Sequence, residues 1–198
     1  LTLLSDHLPS GALVLDASVV INLLGTGQPV EVLAGLRQRC LIEQKTLHEV
    51  KRHPIPGFKL EERMDMLFRD GLLEAVRMTD AEYEVFIELV HGPLGVRLGD
   101  GESAAIAIAS RGAGIVVDEK RARRRVAEML PALATVSSLR LVLTSAHRQN
   151  WTEREAAELV ALARLHSRMG VPREDAPLLA QLMNSSPSAF ISTLRALR

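Results

Sequence analysis

The sequence predicts an α/β fold in which a parallel sheet is flanked by helices and followed by a helical C-terminal appendage. Three observations lead there. Short apolar runs alternate with helical stretches between residues 12 and 136, the pattern left by strands joined through crossover helices. Aromatic residues make up only 3% of a chain that is 47% apolar. Its core must be filled by Leu, Val, Ile and Ala, which favours helices on a sheet over an aromatic-rich sandwich. From Ser137 onward the periodicity is helical throughout.

The elements follow in order. The run 12–15 ends in Asp16 and reads as a strand, and 18–24, stopped by Gly25, reads as a helix. A helix is expected at 30–37, a brief strand at 40–42 and a short helix at 46–52 halted by Pro54 and Pro56. The charged amphipathic stretch 59–70 ends at Gly71, 72–78 alternates as a strand, and Asp80 is expected to cap a helix running to about residue 90. The second half repeats the alternation with helix 101–111, strand 115–117, helix 120–129 and strand 133–136. This divides the chain into an α/β body, 1–149, and a helical appendage, 150–198. In the appendage Ala156, Leu159, Val160, Leu162, Ala163 and Leu165 recur at helical spacing, which suits packing on the body or on a partner.

Composition narrows the class. At 198 residues there is room for one domain with a sizeable core, since folding at this length removes about 70% of the unfolded surface from water. Cys40 is the single cysteine, so no internal disulfide forms and a reducing compartment, the cytoplasm, is expected. No apolar run approaches the roughly 20 residues of a membrane-spanning helix, and no signal-like segment opens the chain. Basic and acidic residues balance at 24 each, so local charge must decide the partners. The six histidines lack paired zinc-ligand spacing. There is also no phosphate loop ending in Lys-Ser/Thr and no Gly-x-Ser-x-Gly turn, which argues against NTPase and serine-hydrolase readings.

The chemistry gathers on acids at strand ends, where ligands of open parallel sheets bind. Asp16 and Asp118 each close a short apolar run ahead of a helix. Either alone could be a helix cap, but as neighbours they would put two carboxylates on one sheet edge. Leu98-Gly99-Asp100-Gly101-Glu102-Ser103 opens a helix of small residues able to lie close on the sheet. Asp100 is expected as its N-cap, leaving Glu102 free for a ligand, though both acids could merely complement the helix dipole. Glu49 is a further candidate, set against a capping-box role with Thr46. Glu43 is a weaker substitute. Converging carboxylates raise one another's pKa, and a hard divalent cation, Mg²⁺ or Mn²⁺, resolves the repulsion and suits phosphodiester hydrolysis. Arg121, Arg124 and Arg125 share a helix face just after Asp118. They could hold phosphates beside the metal or form a solvated face.

Three blocks carry a family resemblance: Val14-Leu15-Asp16-Ala17-Ser18-Val19-Val20-Ile21-Asn22-Leu23, Leu98-Gly99-Asp100-Gly101-Glu102-Ser103-Ala104-Ala105-Ile106, and Val116-Val117-Asp118-Glu119-Lys120-Arg121-Ala122-Arg123-Arg124. In this order they resemble PIN domains, within them the toxin ribonucleases (VapC-like) of type II toxin-antitoxin modules, over about residues 1–149. The resemblance implies a metal-dependent endoribonuclease with Mg²⁺ or Mn²⁺ at Asp16, Glu102 and Asp118. It adds Glu49 to the catalytic acids and makes Ser18 and Asn22 polar supports. The helix-opening acid is often Asp in the family, so Asp100 competes with Glu102, and many relatives carry two Asp residues where this chain has Asp118-Glu119, so Glu119 could assist. An RNA substrate, a homodimer and an antitoxin partner are likewise implied, and an antitoxin segment could use the Arg121 face. The opposing expectation is a catalytically inactive PIN-fold RNA- or protein-binding module.

Overall fold

Five strands, β1 (Leu13–Leu15), β2 (Cys40–Glu43), β3 (Glu74–Val76), β4 (Gly114–Val116) and β5 (Thr135–Val136), form one sheet in the order β3-β2-β1-β4-β5. All four pairings are parallel. The structure is a computed structural model and describes residues 3–52, 55, 59–91, 93 and 96–195. The expected helix stop at Pro54 and Pro56 lies outside the described residues.

The alternation of side chains along each strand sorts the core into two layers. Leu13, Leu15, Cys40, Ile42, Val116 and Val136 face one cluster, packed by α1 (Ala17–Gly25), α2 (Pro29–Leu36), α4 (Leu60–Arg69), α8 (Ser138–Arg148) and α9 (Glu153–His166). Val14, Leu41, Ile115 and Val117 face the other, under α5 (Asp80–Val90), α6 (Asp100–Ala109) and α7 (Lys120–Met129). A sheet covered on both faces explains why its central strands β1 and β4 are unbroken apolar runs. The chain steps outward from β1 through β2 to β3, then crosses back to β4 on the other side of β1. The β1–β4 boundary is therefore the switch point where such sheets open a crevice at their carboxyl ends.

Element boundaries depart from expectation where backbone groups find local partners. The first helix starts at Ala17 because Asp16 caps it, and α6 starts at Asp100 because Gly99, not Asp100, occupies the N-cap. The edge strands β3 and β5 are three and two residues long, shorter than their alternating patterns. Beyond residue 149, α9 buries Ala156, Ala157, Leu159, Val160, Ala161 and Ala163 in the same cluster as β1, while Leu162 and Leu165 are only half-buried. A short turn, α10 (Ala176–Ser185) and α11 (Pro187–Arg195) follow. The turn is tied to α8 by the fully buried Asp175, which accepts from Arg140 Nε at 2.6 Å and Ser137 Oγ at 2.5 Å. Among the described residues no single helix is long and apolar enough to cross a membrane.

Candidate active site

A cleft of about 560 Å³ opens at the switch point and is lined by Asp16, Glu49, Asp100, Glu102, Asp118 and Glu119, with Ser18 and Asn22 between them. Strand pairing brings the two central acids together. Leu15 lies opposite Val116, so Asp16 stands level with Val117 and Asp118 one residue beyond it. The Asp16 amide donates to Val116 O at 3.3 Å, continuing the ladder up to the site.

Asp16 is held by the start of α1, and Asp118 by groups on α1 and α8. Asp16 is only 4% exposed and its Oδ2 accepts from the Ser18 amide at 3.2 Å and from the Ser18 hydroxyl. Asp118 Oδ2 accepts from Asn22 Nδ2 at 2.9 Å, and its Oδ1 from the Ser138 amide at 2.8 Å. Asn22 also donates to Ser138 Oγ at 3.3 Å. Ser18 and Asn22 thus support the acids. Ser138 joins them from the first position of α8; the residues themselves carried no hint of this, because the contact spans 20 residues of chain.

The helix-opening segment is arranged otherwise than expected. Asp100 does not cap α6: it is exposed, and Gly99 stands in the extended N-cap conformation (φ −69°, ψ 162°). The carboxylate three residues on reaches back instead, Glu102 Oε2 accepting the Gly99 amide at 3.2 Å, as the third residue of a capping box does. Glu102 is thus partly committed rather than free, while still lining the cleft.

Glu49 makes the opposite exchange. Its expected capping box with Thr46 does not form, because Glu43 takes that duty. The buried Glu43 carboxylate accepts the Lys45 and Thr46 amides, and the Thr46 hydroxyl donates to Glu43 O at 2.7 Å. Glu43 is therefore no substitute ligand, and Glu49, on α3 (Leu47–Arg52), is released to the cleft. It lies against Gly101, where an added Cβ would come within 2.8 Å of Glu49 Oε2. The glycine between the two acids lets α3 and α6 share the space.

Electrostatics mark the acids as a group. Burial raises the pKa of Asp16, Glu49, Glu102 and Asp118. Repulsion adds to it, from Glu119 on Asp16, from Asp16 and Asp100 on Glu49, and from Asp16 and Glu119 on Glu102. Hydrogen bonds from Ser138 and Asn22 offset part of the rise at Asp118. The one cation lining the cleft among the described residues is Arg168, held at a left-handed φ of 58° beside Ser167 and Gly170, a conformation uncommon for a long side chain. Nothing in the residue pattern pointed to it.

The arginine cluster stands apart from the cleft. Arg121, Arg124 and Arg125 line a small separate hollow with Val96. Arg121 donates to Arg97 O at 2.6 Å, and Arg124 and Arg125 both engage Glu128. Arg121 still bears on the site by offsetting a small part of the rise in the Glu102 pKa.

The donor set is all oxygen, the chemistry that selects Mg²⁺ or Mn²⁺. Among the described residues no three His, Cys, Asp or Glu side chains come together as a ready-made ligand set. Mg²⁺ does not demand one, because it commonly binds through one or two carboxylates and keeps several waters. The paired strand-end acids, short of positive charge, fit such an ion.

A parallel sheet with a buried, acid-lined crevice at its switch point defines an α/β protein with an acidic ligand-binding site at its strand ends. The family model of DUF3368, described as a PIN domain, matches residues 12–171, and the chain belongs to the PIN-domain family. PIN domains are generally nucleases and typically use divalent metal ions, which sets the chain at that coarse level among the hydrolases. The match runs through α9, past residue 149. No curated protein and no solved structure matches the chain.

Proposed function

We propose that the chain is a Mg²⁺- or Mn²⁺-dependent endoribonuclease. The observation that carries the reading is the convergence of Asp16, Glu49, Glu102 and Asp118 on one cleft, with burial raising all four pKa values and carboxylate repulsion adding to the rise at Asp16, Glu49 and Glu102. Asp16, Glu102 and Asp118 would hold the ion, with Glu119 assisting. When bound, the ion supplies positive charge to the phosphate and makes a nearby water more acidic.

The remaining chemistry belongs to the chain's own groups. In hydrolysis the water oxygen bonds to phosphorus as the bond to the leaving oxygen breaks. Glu49 accepts the water's proton at its carboxylate, a role suited to a carboxyl whose pKa is raised. Ser18, Asn22 and Ser138 fix the orientation of Asp16 and Asp118. Arg168 meets a phosphate oxygen from the rim, since a guanidinium fork matches that geometry. Arg121, Arg124 and Arg125 hold phosphates farther along, with Glu128 exchanged for the backbone of the RNA.

The narrower role, a homodimeric cytoplasmic toxin neutralised by an antitoxin, rests on the likeness of the three sequence blocks to the toxin ribonucleases. Induced expression should arrest growth and produce cleavage sites in cellular RNA that vanish for Asp16→Asn. Mn²⁺ titrated against thermal unfolding tests the ion directly: a ligand of the folded state alone raises the melting temperature, and Asp16→Asn should abolish the rise. A second reading, an inactive PIN-fold binding module, is favoured by one observation, the hydrogen bonds that already occupy Glu102 and Asp118. A flat Mn²⁺ titration together with retained RNA binding would select it.

A further inference from the structure

A second cavity, of about 360 Å³, lies beyond the carboxyl ends of β2 and β3, and Lys45, His48, Arg77 and Tyr83 line it together with Gln44 and Glu43. It adjoins the acidic cleft through α3, whose consecutive residues His48 and Glu49 line the second cavity and the cleft respectively. Charge changes sign across that helix. The cleft carries six acids and one arginine, whereas the single carboxylate here, Glu43, is buried and already satisfied by the Lys45 and Thr46 amides. Among the described residues Lys45 and Arg77 make no ion pair. Arg77 is held in orientation by donating from Nε to Gln44 Oε1 at 2.5 Å.

The aromatic component is the more telling. Tyr83 is the only tyrosine in an aromatic-poor chain, and it stands 47% exposed on α5. Its ring stacks on Phe86 with centroids 5.7 Å apart and an interplanar angle of 25°. Phe86 fixes the ring without covering it, and an exposed aromatic plane flanked by cations is what binds an unpaired nucleotide strand, the ring stacking a base while the cations hold phosphates.

We infer that the Lys45–His48–Arg77–Tyr83 cavity is a subsite for single-stranded RNA, guiding the strand past α3 to the acidic cleft. This rests on the nuclease reading for its direction, but the binding it asserts is separable from cleavage. A base stacks on Tyr83, and Lys45 and Arg77 hold the flanking phosphates. A duplex, whose bases are already stacked, gains nothing from Tyr83.

The test is fluorescence anisotropy of a labelled 12-nucleotide single-stranded RNA in EDTA across a salt series. Tyr83→Ala should weaken binding roughly 5- to 150-fold, the range found for removing one stacked base contact. Tyr83→Leu, which keeps apolar contact with Phe86 and guards against a folding defect, should weaken it comparably. Lys45→Gln with Arg77→Gln should make the slope of log affinity against log salt shallower by about 1.4, two phosphates at about 0.7 each. Parent-like affinity in the Tyr83 and Lys45/Arg77 variants, or equal affinity for a duplex of the same length, overturns the subsite. Tyr83-dependent binding by a parent protein that never cleaves with Mn²⁺ supports the subsite while overturning the nuclease reading.

Discussion

Asp16 carries two duties that chemistry can separate. As N-cap of α1 it accepts the Ser18 amide, which asparagine can do nearly as well. As a buried anion it strains the fold when no cation is present, because burial holds its pKa above the ordinary carboxylate value. A folded-state pKa above the unfolded one means that the native state gains protons first, so stability rises as pH falls from neutral through the raised pKa and levels off below the unfolded value. In chelator at pH 7, Asp16→Asn is therefore expected to melt above the parent. An effect of order 1 kcal/mol corresponds to roughly 2–4 °C at this length. The advantage should disappear as the pH is lowered to the ordinary carboxylate range, as thermal scans over a pH series would reveal. A variant less stable than the parent at every pH would show that the cap outweighs the charge.

The helix starts decide which acids remain available, and here the limits of residue-level reading are plain. Asp16 and Asp118 were legible because apolar runs, an acid and then a helix is a local pattern, and their pairing followed once the strands proved adjacent. The competition between Asp100 and Glu102 was not, since it turns on whether Gly99 or Asp100 enters the extended N-cap conformation. Glu49 could not be resolved either, because its release depends on Glu43 taking over the turn. Ser138 and Arg168 escaped notice for another reason: they reach the site from elements packed late in the chain. One substitution isolates this level. In Gly101→Ala the new methyl meets only the flexible end of Glu49, and alanine is the better helix residue by about 1 kcal/mol. Thermal stability should hold or rise, while cleavage falls because Glu49 is pushed from the cleft. An unaltered rate would remove Glu49 from the reaction.

At the scale of the molecule, the α/β order and the two-sided sheet were readable from alternation alone, and packing on the body was the simplest account of the apolar spacing in the last quarter, but the helix it covers was not readable. Helical spacing says that a face is apolar, not what covers it. In the structure α9 covers α1, the helix whose first turn carries Asp16 and Ser18, and Arg168 follows directly from its end. A chain cut after residue 149 would strip that cover from α1, and is expected to lose its cooperative thermal transition rather than yield a folded body. A cooperatively melting 1–149 fragment would show the body to be independent. Replacing Asp175 by Ala should cost about 1.5–3 kcal/mol in denaturant unfolding, the range for losing hydrogen bonds to a charged group, since Ser137 and Arg140 lose their buried acceptor while Arg140 keeps access to water.

The central claim, that the acids at the ends of β1 and β4 form a metal-dependent nuclease centre, is tested most directly by single-turnover cleavage of RNA with Mn²⁺ in the parent, Asp16→Asn and Asp118→Asn proteins. The account predicts cleavage by the parent that stops with EDTA. It predicts rates lower by roughly 100-fold or more in both folded variants, beyond the 10–100-fold typical of losing a group that only supports a ligand. Equal cleavage by all three proteins, or cleavage that persists in EDTA, would contradict it.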